Sequence, residues 1–412
     1  MALEFHFVLV LLLVYGTSYL FKFLERYDIP ILLVEIIAGI VFGSVFGVVS
    51  ENIAGWEFFT TLAAFGLLVI MFEAGLELDP EPVLERPKIV SLMAVMTFLL
   101  PFLAGFGFGQ FLGLSFFASF LIGVTLSTTS LGLVYPLLDD FGYLDTERGQ
   151  LILAVTVLCD ILSVVALAYG ITLTSDNARM GTIIVTIALI FFFVIVPVFL
   201  VDYIGKVIPD SVKTNPVKFS MFFALALAWA FEHIGVHAIL GAFFAGLIIA
   251  QSTEDRSGFD IEKNMKPVAD LVTPVFFFYV GMQAAIPEVT PYNMLMLGGV
   301  LAIGVGSKIF GAVAGGIALG LDGRTTKLLA SVMPGQLAMS VAAAAIGLNR
   351  GIIEPNLYNS LIVLAASSVF VSSMMFRYFS DKPRQQNSNA RIDGLPSGST
   401  RFEWAGSDSD RL

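Results

Sequence analysis

The chain has 412 residues, of which 57% are hydrophobic and only 13% are charged, and its mean hydropathy is +0.87. A soluble domain carries roughly twice that fraction of charged residues, so the composition excludes an ordinary soluble domain. The formal net charge of −11 argues against a nucleic-acid partner, and the single cysteine, Cys159, excludes an internal disulfide framework and a cysteine-based metal cluster.

Apolar runs of about 20 residues recur along nearly the whole chain, which predicts an all-α, polytopic membrane protein. The runs are continuous rather than alternating, which excludes a transmembrane barrel. We predict thirteen spans, at residues 5–25, 29–49, 57–77, 88–112, 115–138, 150–173, 181–204, 217–233, 236–252, 268–286, 293–319, 326–348 and 357–378. Residues 1–380 then form the transmembrane domain, and the polar remainder, 381–412, is expected to be a disordered cytoplasmic tail.

The basic residues between the spans divide unevenly over the two sides of the predicted membrane. One side collects nearly all of them, from Lys22 to Lys327 and into the tail, whereas the other side collects only Arg179 and Arg350. Cytoplasmic loops hold the excess of Lys and Arg, so we expect an external N-terminus and a cytoplasmic C-terminus in the plasma membrane. An odd number of spans agrees with this orientation.

Two pairs of stretches about 207 residues apart resemble each other. The sequence EIIAGIVFG in the second span is similar to AFFAGLIIA in the ninth, and MFEAGLEL in the third is similar to FYVGMQAA in the tenth. An offset of seven spans reverses direction in the membrane, so we predict inverted-topology repeats at about 5–173 and 217–378, joined by a linker helix at 181–204. The alternative is chance similarity, since small-residue pairs are common in membrane helices.

Two spans at corresponding positions contain residues that interrupt a helix. The fifth span contains GVTLSTTSLGLVYP, and the repeat maps Thr128 in its hydroxyl cluster onto Pro334 of the twelfth span. Pro334, Gly335 and Gln336 stand inside an apolar run, where Pro-Gly breaks the backbone hydrogen bonding. Corresponding interrupted spans mark the site of many secondary transporters, and hydroxyls and freed carbonyls suit a monovalent cation. Hydrogen bonding between helices is the alternative role for the hydroxyls.

Several motifs taken together resemble one known family. They are FEAGLEL in the third span, HAILGAFFAGLIIA in the ninth, PVFFFYVGM in the tenth, GVGSKIFGA around Lys308, and the Ser/Thr break followed about 30 residues later by GQLILAVTVLCD. In this order and spacing they are similar to the monovalent cation/proton antiporters, which include sodium/proton exchangers and the Kef-type membrane unit. The resemblance covers about 5–378 and implies the antiporter fold with two discontinuous crossing helices, an elevator mechanism, a homodimer, and exchange of protons for Na⁺ or K⁺ rather than an enzymatic reaction.

Asp160, a full charge in the middle of the apolar sixth span, is the expected exchange site. A carboxylate there holds either a proton or a cation but not both, which is the basis of antiport. Thr156 lies one helical turn earlier on the same face, and Thr129 and Ser130 stand at the break. Glu73 in the third span resembles a carboxylate that some electroneutral archaeal exchangers place near their ion, so the resemblance adds it to the expected cation and proton site. Thr156 has an alternative, which is a bond to its own backbone. No cofactor is expected besides the transported Na⁺ or K⁺.

Lys308 occupies the place of the family's intramembrane basic residue. In electrogenic members a lysine here partners the first of two adjacent aspartates, but in this chain the first position is Cys159, so one carboxylate, Asp160, remains. This departure favours one proton per cation, which is electroneutral exchange. We expect Lys308 to compensate charge, by pairing with Asp160, Glu73 or Glu35 or by bonding to the carbonyl end of a half-helix, and direct participation in proton coupling is the alternative.

The residues leave the identity of the cation open, since selectivity depends on cavity size and ligand geometry. We favour Na⁺, with a Kef-type potassium/proton antiporter as the alternative and a transport-dead sensor or symporter on the same fold as a remote one. The tail is too short for the nucleotide-binding domain that Kef-type proteins often append. An intramembrane aspartyl protease needs two membrane aspartates, and only Asp160 sits deep within a span.

Overall fold

The structure is a computed structural model of the chain, and it describes residues 5–23, 31–45, 56–76, 86–144, 146–173, 216–233, 238–253, 261–284 and 289–380. All regular secondary structure in these ranges is helical. The helices are α1 (Phe5–Phe21), α2 (Ile31–Gly39, continued by a π-helical segment, Ile40–Val45), α3 (Trp56–Leu76), α4 (Pro87–Phe111), α5 (Phe116–Ser127), α6 (Leu131–Asp140), α7 (Glu147–Leu173), α8 (Pro216–His233), α9 (Ala238–Thr253), α10 (Ile261–Gln283), α11 (Pro291–Ala318), α12 (Gly323–Val332), α13 (Ala338–Asn349) and α14 (Pro355–Phe379).

These helices confirm the predicted all-α membrane architecture. Within the described residues each predicted span overlaps one helix, except that the fifth and twelfth spans are each divided into two short helices, α5–α6 and α12–α13. Seven segments of 20 to 28 residues are apolar enough to cross a bilayer, by length and composition. The predicted linker helix 181–204 and the predicted tail 381–412 lie outside the described residues.

The described helices pack as two bundles. We call α1–α3 with α8–α10 the panel, and α4–α7 with α11–α14 the core. Every closely packed pair of these helices lies within one bundle or the other, and the panel and the core touch each other only lightly. Each bundle takes helices at equivalent positions from the first and second halves of the chain.

Two helix crossings in the panel depend on glycine. Where α2 meets α10, a Cβ atom at Gly39 would lie 2.1 Å from a backbone oxygen of α10, and one at Gly281 would lie 2.0 Å from a backbone oxygen of α2. Where α3 meets α9, Cβ atoms at Gly75 and Gly246 would each lie 2.0 Å from a backbone oxygen of the facing helix. Only glycine lets the backbones approach so closely. Gly246 follows Gly39 by 207 residues and Gly281 follows Gly75 by 206, which is the offset of the predicted repeat. The repeat therefore relates the crossing of α2 and α10 to the crossing of α3 and α9.

The core contains two interrupted helices. Between α5 and α6 the chain is extended, with ψ of 155° at Thr128 and 113° at Ser130. Between α12 and α13 the chain passes through Pro334, which has no N–H to donate, and the helix resumes only after Leu337. Both predicted interruptions are therefore present in the fold.

Candidate functional site

The two interruptions cross each other inside the core. The backbone N–H of Ser130 donates to the carbonyl of Gly335 at 2.8 Å, and the Thr129 hydroxyl donates to the carbonyl of Met333 at 3.2 Å. Backbone groups that leave a helix inside a membrane must find partners within the protein. Here each interruption supplies partners for the other.

Gln336 ties the second interruption to the first. Its side-chain amide donates to the carbonyl of Leu126 at 3.0 Å, and the Ser368 hydroxyl of α14 lies 3.0 Å from both its backbone nitrogen and its backbone oxygen. The Ser340 hydroxyl bonds to the Thr128 hydroxyl and donates to Gln336 Oε1 at 3.3 Å. Ser340 and Ser368 were not predicted as site residues, although Ser340 follows Gln336 by only four residues.

Lys308 of α11 contacts the first interruption directly. Its side chain is fully buried, and its ammonium group donates to the backbone carbonyl of Ser127 and, at 2.7 Å, to the Thr129 hydroxyl. Ser127 ends α5, where helical carbonyls lack intrahelical partners and the helix dipole is negative. The sequence left four possible partners open for Lys308. In the structure its ammonium group bonds to one of them, the carbonyl end of a half-helix.

A cavity of about 500 Å³ lies between the panel and the core, beside this crossing. The core lines it with Asp160 of α7 and with Thr128, Thr129 and Ser130, and the panel lines it with Glu73 of α3. One face of α10 and the residues that follow the second interruption complete the wall. The structure thus brings two carboxyl groups and three hydroxyl groups from the predicted site to one space.

Thr156 is not brought to this cavity. It is fully buried in α7, and its hydroxyl donates to the carbonyl of Ile152 one turn earlier, at 2.9 Å. This is the back-bond that threonine commonly makes within a helix. Its hydroxyl therefore supports α7, and its role as a cation ligand stays a prediction.

The sequence of this chain is similar to those of known membrane proteins. A family model described as "Sodium/hydrogen exchanger, transmembrane" matches residues 8–381. The chain belongs to the sodium/hydrogen exchanger family. It is 25% identical over 362 residues to a probable Na⁺/H⁺ antiporter of Methanocaldococcus jannaschii, a match that spans 86% of this chain and 92% of the relative. It is 26% identical over 389 residues to the Na⁺/H⁺-K⁺ antiporter GerN of Bacillus cereus, a match that spans 92% of this chain and 97% of GerN.

The fold of this family member also matches a solved antiporter structure. The sodium proton antiporter MjNhaP1 from Methanocaldococcus jannaschii superposes with a TM-score of 0.67, over 92% of this chain and 97% of that one. The two are 17% identical, so the likeness concerns the fold. It confirms the predicted antiporter fold.

In this member of the exchanger family, Cys159 packs into the core rather than lining the cavity. It is fully buried, and its Sγ atom lies 3.0 Å from the Thr97 hydroxyl and 3.6 Å from the Ala94 carbonyl, both on α4. The residue before Asp160 therefore holds α7 against α4. Thr97 could not be predicted as its partner, because one threonine in an apolar span carries no signal of what it contacts.

At the far end of α10, hydrogen bonds join the panel to the core. The Tyr358 hydroxyl of α14 donates to the carbonyl of Val280 at 2.6 Å, and the Gln283 side-chain amide donates to Asn349 Oδ1 at 2.6 Å. Tyr358 is fully buried. Helix α10 thus borders the cavity earlier along its length and bonds to the core in its last turn.

A cluster of charges lies at the ends of three core helices. Arg86 pairs with Glu147 at 3.0 Å, and Arg148 pairs with Asp322 at 3.2 Å, in positions exposed enough that each pair contributes little to stability. Asp322 is the N-cap of α12. The pKa of Asp322 lies below its ordinary value, chiefly because the Thr325 hydroxyl donates to its carboxylate. This cluster belongs to the core alone and does not reach the cavity.

Proposed function

We propose that this chain is a secondary active transporter that exchanges protons for monovalent cations, with Na⁺ favoured, and that Asp160 binds the two in alternation. The observation that carries the proposal is the cavity in which Asp160 meets Thr128, Thr129, Ser130 and Glu73. Carbonyls of interrupted helices coordinate Na⁺ in transporters, and carboxylate and hydroxyl oxygens are ligands of the same hard class. Because one carboxyl group holds either a proton or a cation, binding of one releases the other.

The names of the relatives support these substrates. The Methanocaldococcus jannaschii relative is a probable Na⁺/H⁺ antiporter, and GerN is a Na⁺/H⁺-K⁺ antiporter. Exchange of K⁺ for protons is the second candidate function, and the name of GerN is the observation that favours it. A transport-dead sensor or a symporter on the same fold stays the remote alternative.

We propose that the exchange is electroneutral, with one proton per cation. The residue next to Asp160 is Cys159, which is buried against α4 and adds no second carboxylate to the cavity. Lys308 compensates charge at the half-helix end, where its ammonium group donates to the Ser127 carbonyl. This contact lies within the core, at the end of α5. Lys308 then keeps its proton throughout the cycle, and only Asp160 exchanges one.

We propose an elevator mechanism, in which the core moves against the panel and carries the site across the membrane. The light contact between the bundles supports it, and so does the boundary itself, which holds a cavity at one end and the bonds of Tyr358 and Gln283 at the other. From the asymmetry of basic residues we expect the cavity end to face the cytoplasm and the N-terminus to lie outside the plasma membrane. The homodimer and the inverted repeats stay predictions.

Transport in proteoliposomes tests this function. A pH gradient is established, Na⁺ or K⁺ is added, and the loss of the gradient is followed with and without a clamped membrane potential. We expect Na⁺ to dissipate the gradient at lower concentrations than K⁺, at a rate that the clamp does not change. Proton movement indifferent to both cations would contradict antiport, and a rate that follows the potential would contradict electroneutrality.

A further inference from the structure

One face of α10 lines the cavity with a stripe of residues that are not part of the proposed exchange site. Lys266, Asp270, Thr273 and Phe277 of α10 all line the cavity, and their spacing places them on one helix face. Lys266 and Asp270 are exposed, whereas Phe277 is fully buried. The stripe therefore runs from a charged mouth to an apolar inner end.

Within this stripe, the Thr273 hydroxyl is buried and has no hydrogen-bond partner among the described residues. Threonine inside a helix commonly donates to the carbonyl one turn earlier, as Thr125 and Thr156 do in this chain. A buried polar group without a partner is uncommon and calls for a specific reason. Since Thr273 lines the cavity, its free hydroxyl points to a ligand that enters there.

Asp270 supplies a negative charge next to this hydroxyl. It precedes Thr273 by three residues on the same helix face, and the ion pairs formed by the described residues do not include it. A cleft with low-dielectric walls focuses the field of such a charge and raises the local concentration of counter-ions. The carboxylate therefore acts on whatever enters the mouth of the cavity.

We propose that Asp270 and Thr273 form a capture site for a hydrated monovalent cation on the panel wall, where the cation binds before it reaches Asp160. The carboxylate attracts the ion, and the Thr273 hydroxyl provides an oxygen ligand on the inward path. This inference rests on the proposed function, because it assumes that the cavity conducts cations to Asp160.

The capture site differs from the exchange site in where it is attached. Asp160 and the interrupted helices belong to the core, whereas Asp270 and Thr273 belong to the panel. The capture site therefore stays in place when the core moves. It affects how readily a cation enters from the cavity end and leaves the later steps of the cycle unchanged. Lys266, one turn nearer the mouth, opposes capture with its positive charge.

Kinetics of cation entry test the proposal. Exchange is measured in everted vesicles, in which the proposed cytoplasmic end faces the added Na⁺, for the Asp270→Asn and Asp270→Glu variants. We expect Asp270→Asn to raise KM for Na⁺ about five-fold, as for the loss of one charge acting at short range, while kcat stays within about two-fold of the wild type. The rise should shrink at high ionic strength in choline chloride, because salt screens exposed charges. Asp270→Glu should keep the wild-type KM.

Matched variants separate capture from general effects. Asp139→Asn removes an exposed carboxylate outside the cavity, so it should leave KM unchanged. Thr273→Val should raise KM and Thr273→Ser should not, whereas Lys266→Gln should lower KM. A wild-type KM in Asp270→Asn, or a lower kcat with no change in KM, would overturn the capture site. If wild-type vesicles show no cation-driven proton movement, the proposed function itself fails, and the two failures are thereby distinguished.

Restoring the charge chemically gives a second test that does not depend on folding of the charge variants. Asp270→Cys is treated with a thiosulfonate reagent that carries either a sulfonate or a quaternary ammonium group. We expect the sulfonate to return KM towards the wild-type value and the ammonium group to raise it further. The wild type serves as the control, since Cys159 is fully buried. Equal effects of the two reagents would overturn the proposal.

Discussion

The boundary between the panel and the core differs at its two ends. At one end the bundles part around a cavity of about 500 Å³ that contains Asp160 and the hydroxyls of the first interruption. At the other end Tyr358 and Gln283 join them through hydrogen bonds of 2.6 Å. Helix α10 takes part at both ends, so one helix of the panel borders both the cavity and the hydrogen-bonded contact. In the proposed mechanism, transport exchanges these two conditions.

The two hydrogen bonds at the closed end join uncharged groups, and this affects how easily that end can open. A neutral hydrogen bond contributes about 1 kcal/mol net to stability, because water replaces the lost partner. Two such bonds can stabilise the closed contact and still break readily when the bundles move. The open end, in contrast, contains the carboxyl groups of Asp160 and Glu73, so in the proposed mechanism different residues bind the cation and hold the bundles together.

Removing the carboxylate at the open end should have the largest effect. Asp160→Asn keeps the shape of the side chain but removes the group that titrates, so we expect exchange to fall to the level of empty liposomes. Asp139→Asn, which alters an exposed carboxylate outside the cavity, should exchange at the wild-type rate. Full activity of Asp160→Asn would show that the exchange site lies elsewhere.

Removing the buried ammonium group of Lys308 at the crossing should have the next largest effect. Lys308→Ala leaves the Ser127 carbonyl and the Thr129 hydroxyl without their donor, at about 1–3 kcal/mol for each buried group. We expect a clear drop in Tm by thermal unfolding in detergent, together with slower exchange. The exposed Lys218→Ala should change neither. An unchanged Tm in Lys308→Ala would mean that these contacts do not support the interruption.

Weakening the closed end should shift the balance of the two states. Tyr358→Phe removes the bond to Val280, and about 1 kcal/mol corresponds to a roughly five-fold change in population. Labelling of Ala284→Cys, a buried position just after α10, should then be about five-fold faster with an impermeant maleimide. Tyr15→Phe is the matched control, since its hydroxyl donates to the Leu271 carbonyl of the same helix but within the panel. Equal labelling rates in both variants would show that the Tyr358 hydrogen bond does not keep this end closed.

A change inside the core that leaves both ends alone should have the smallest effect. Asp322→Ala removes the N-cap of α12, so we expect a small fall in Tm, whereas Asn caps well and Asp322→Asn should fall less. Because the pKa of Asp322 is lowered, its contribution is present at neutral pH and disappears only as the pH falls through that lowered pKa. The Tm difference should therefore be the same at pH 8 and pH 6, and a difference that vanishes by pH 6 would contradict this.

The helices and their interruptions were predictable because local composition determines them. A continuous apolar run has to form a helix in a membrane, whatever it packs against. Pro334 interrupts a helix through its own missing N–H, and the hydroxyl cluster around Thr128 stands at the corresponding position of the predicted repeat. The resemblance then brought Asp160, Thr129 and Glu73 together, and the cavity contains all three.

The partners of individual side chains were not predictable in the same way. Lys308 had four possible partners, and the choice depends on how a long side chain packs in three dimensions. Glu35, one of those four, is buried in the panel and accepts a bond from Ser18 at 2.8 Å. Tyr358 and Gln283 gave no signal, since they are uncharged and meet partners distant in sequence. Periodicity and motifs do not encode contacts of this kind.

Measuring cation binding and proton release together shows directly whether Asp160 exchanges one for the other. Calorimetric titration of the purified protein with NaCl, in two buffers of different ionisation enthalpy, reports how many protons leave for each cation bound. We predict one proton released per Na⁺ bound, an apparent affinity that weakens as the pH falls, and no binding in Asp160→Asn. Binding without proton release, or equal binding in wild type and Asp160→Asn, would contradict it.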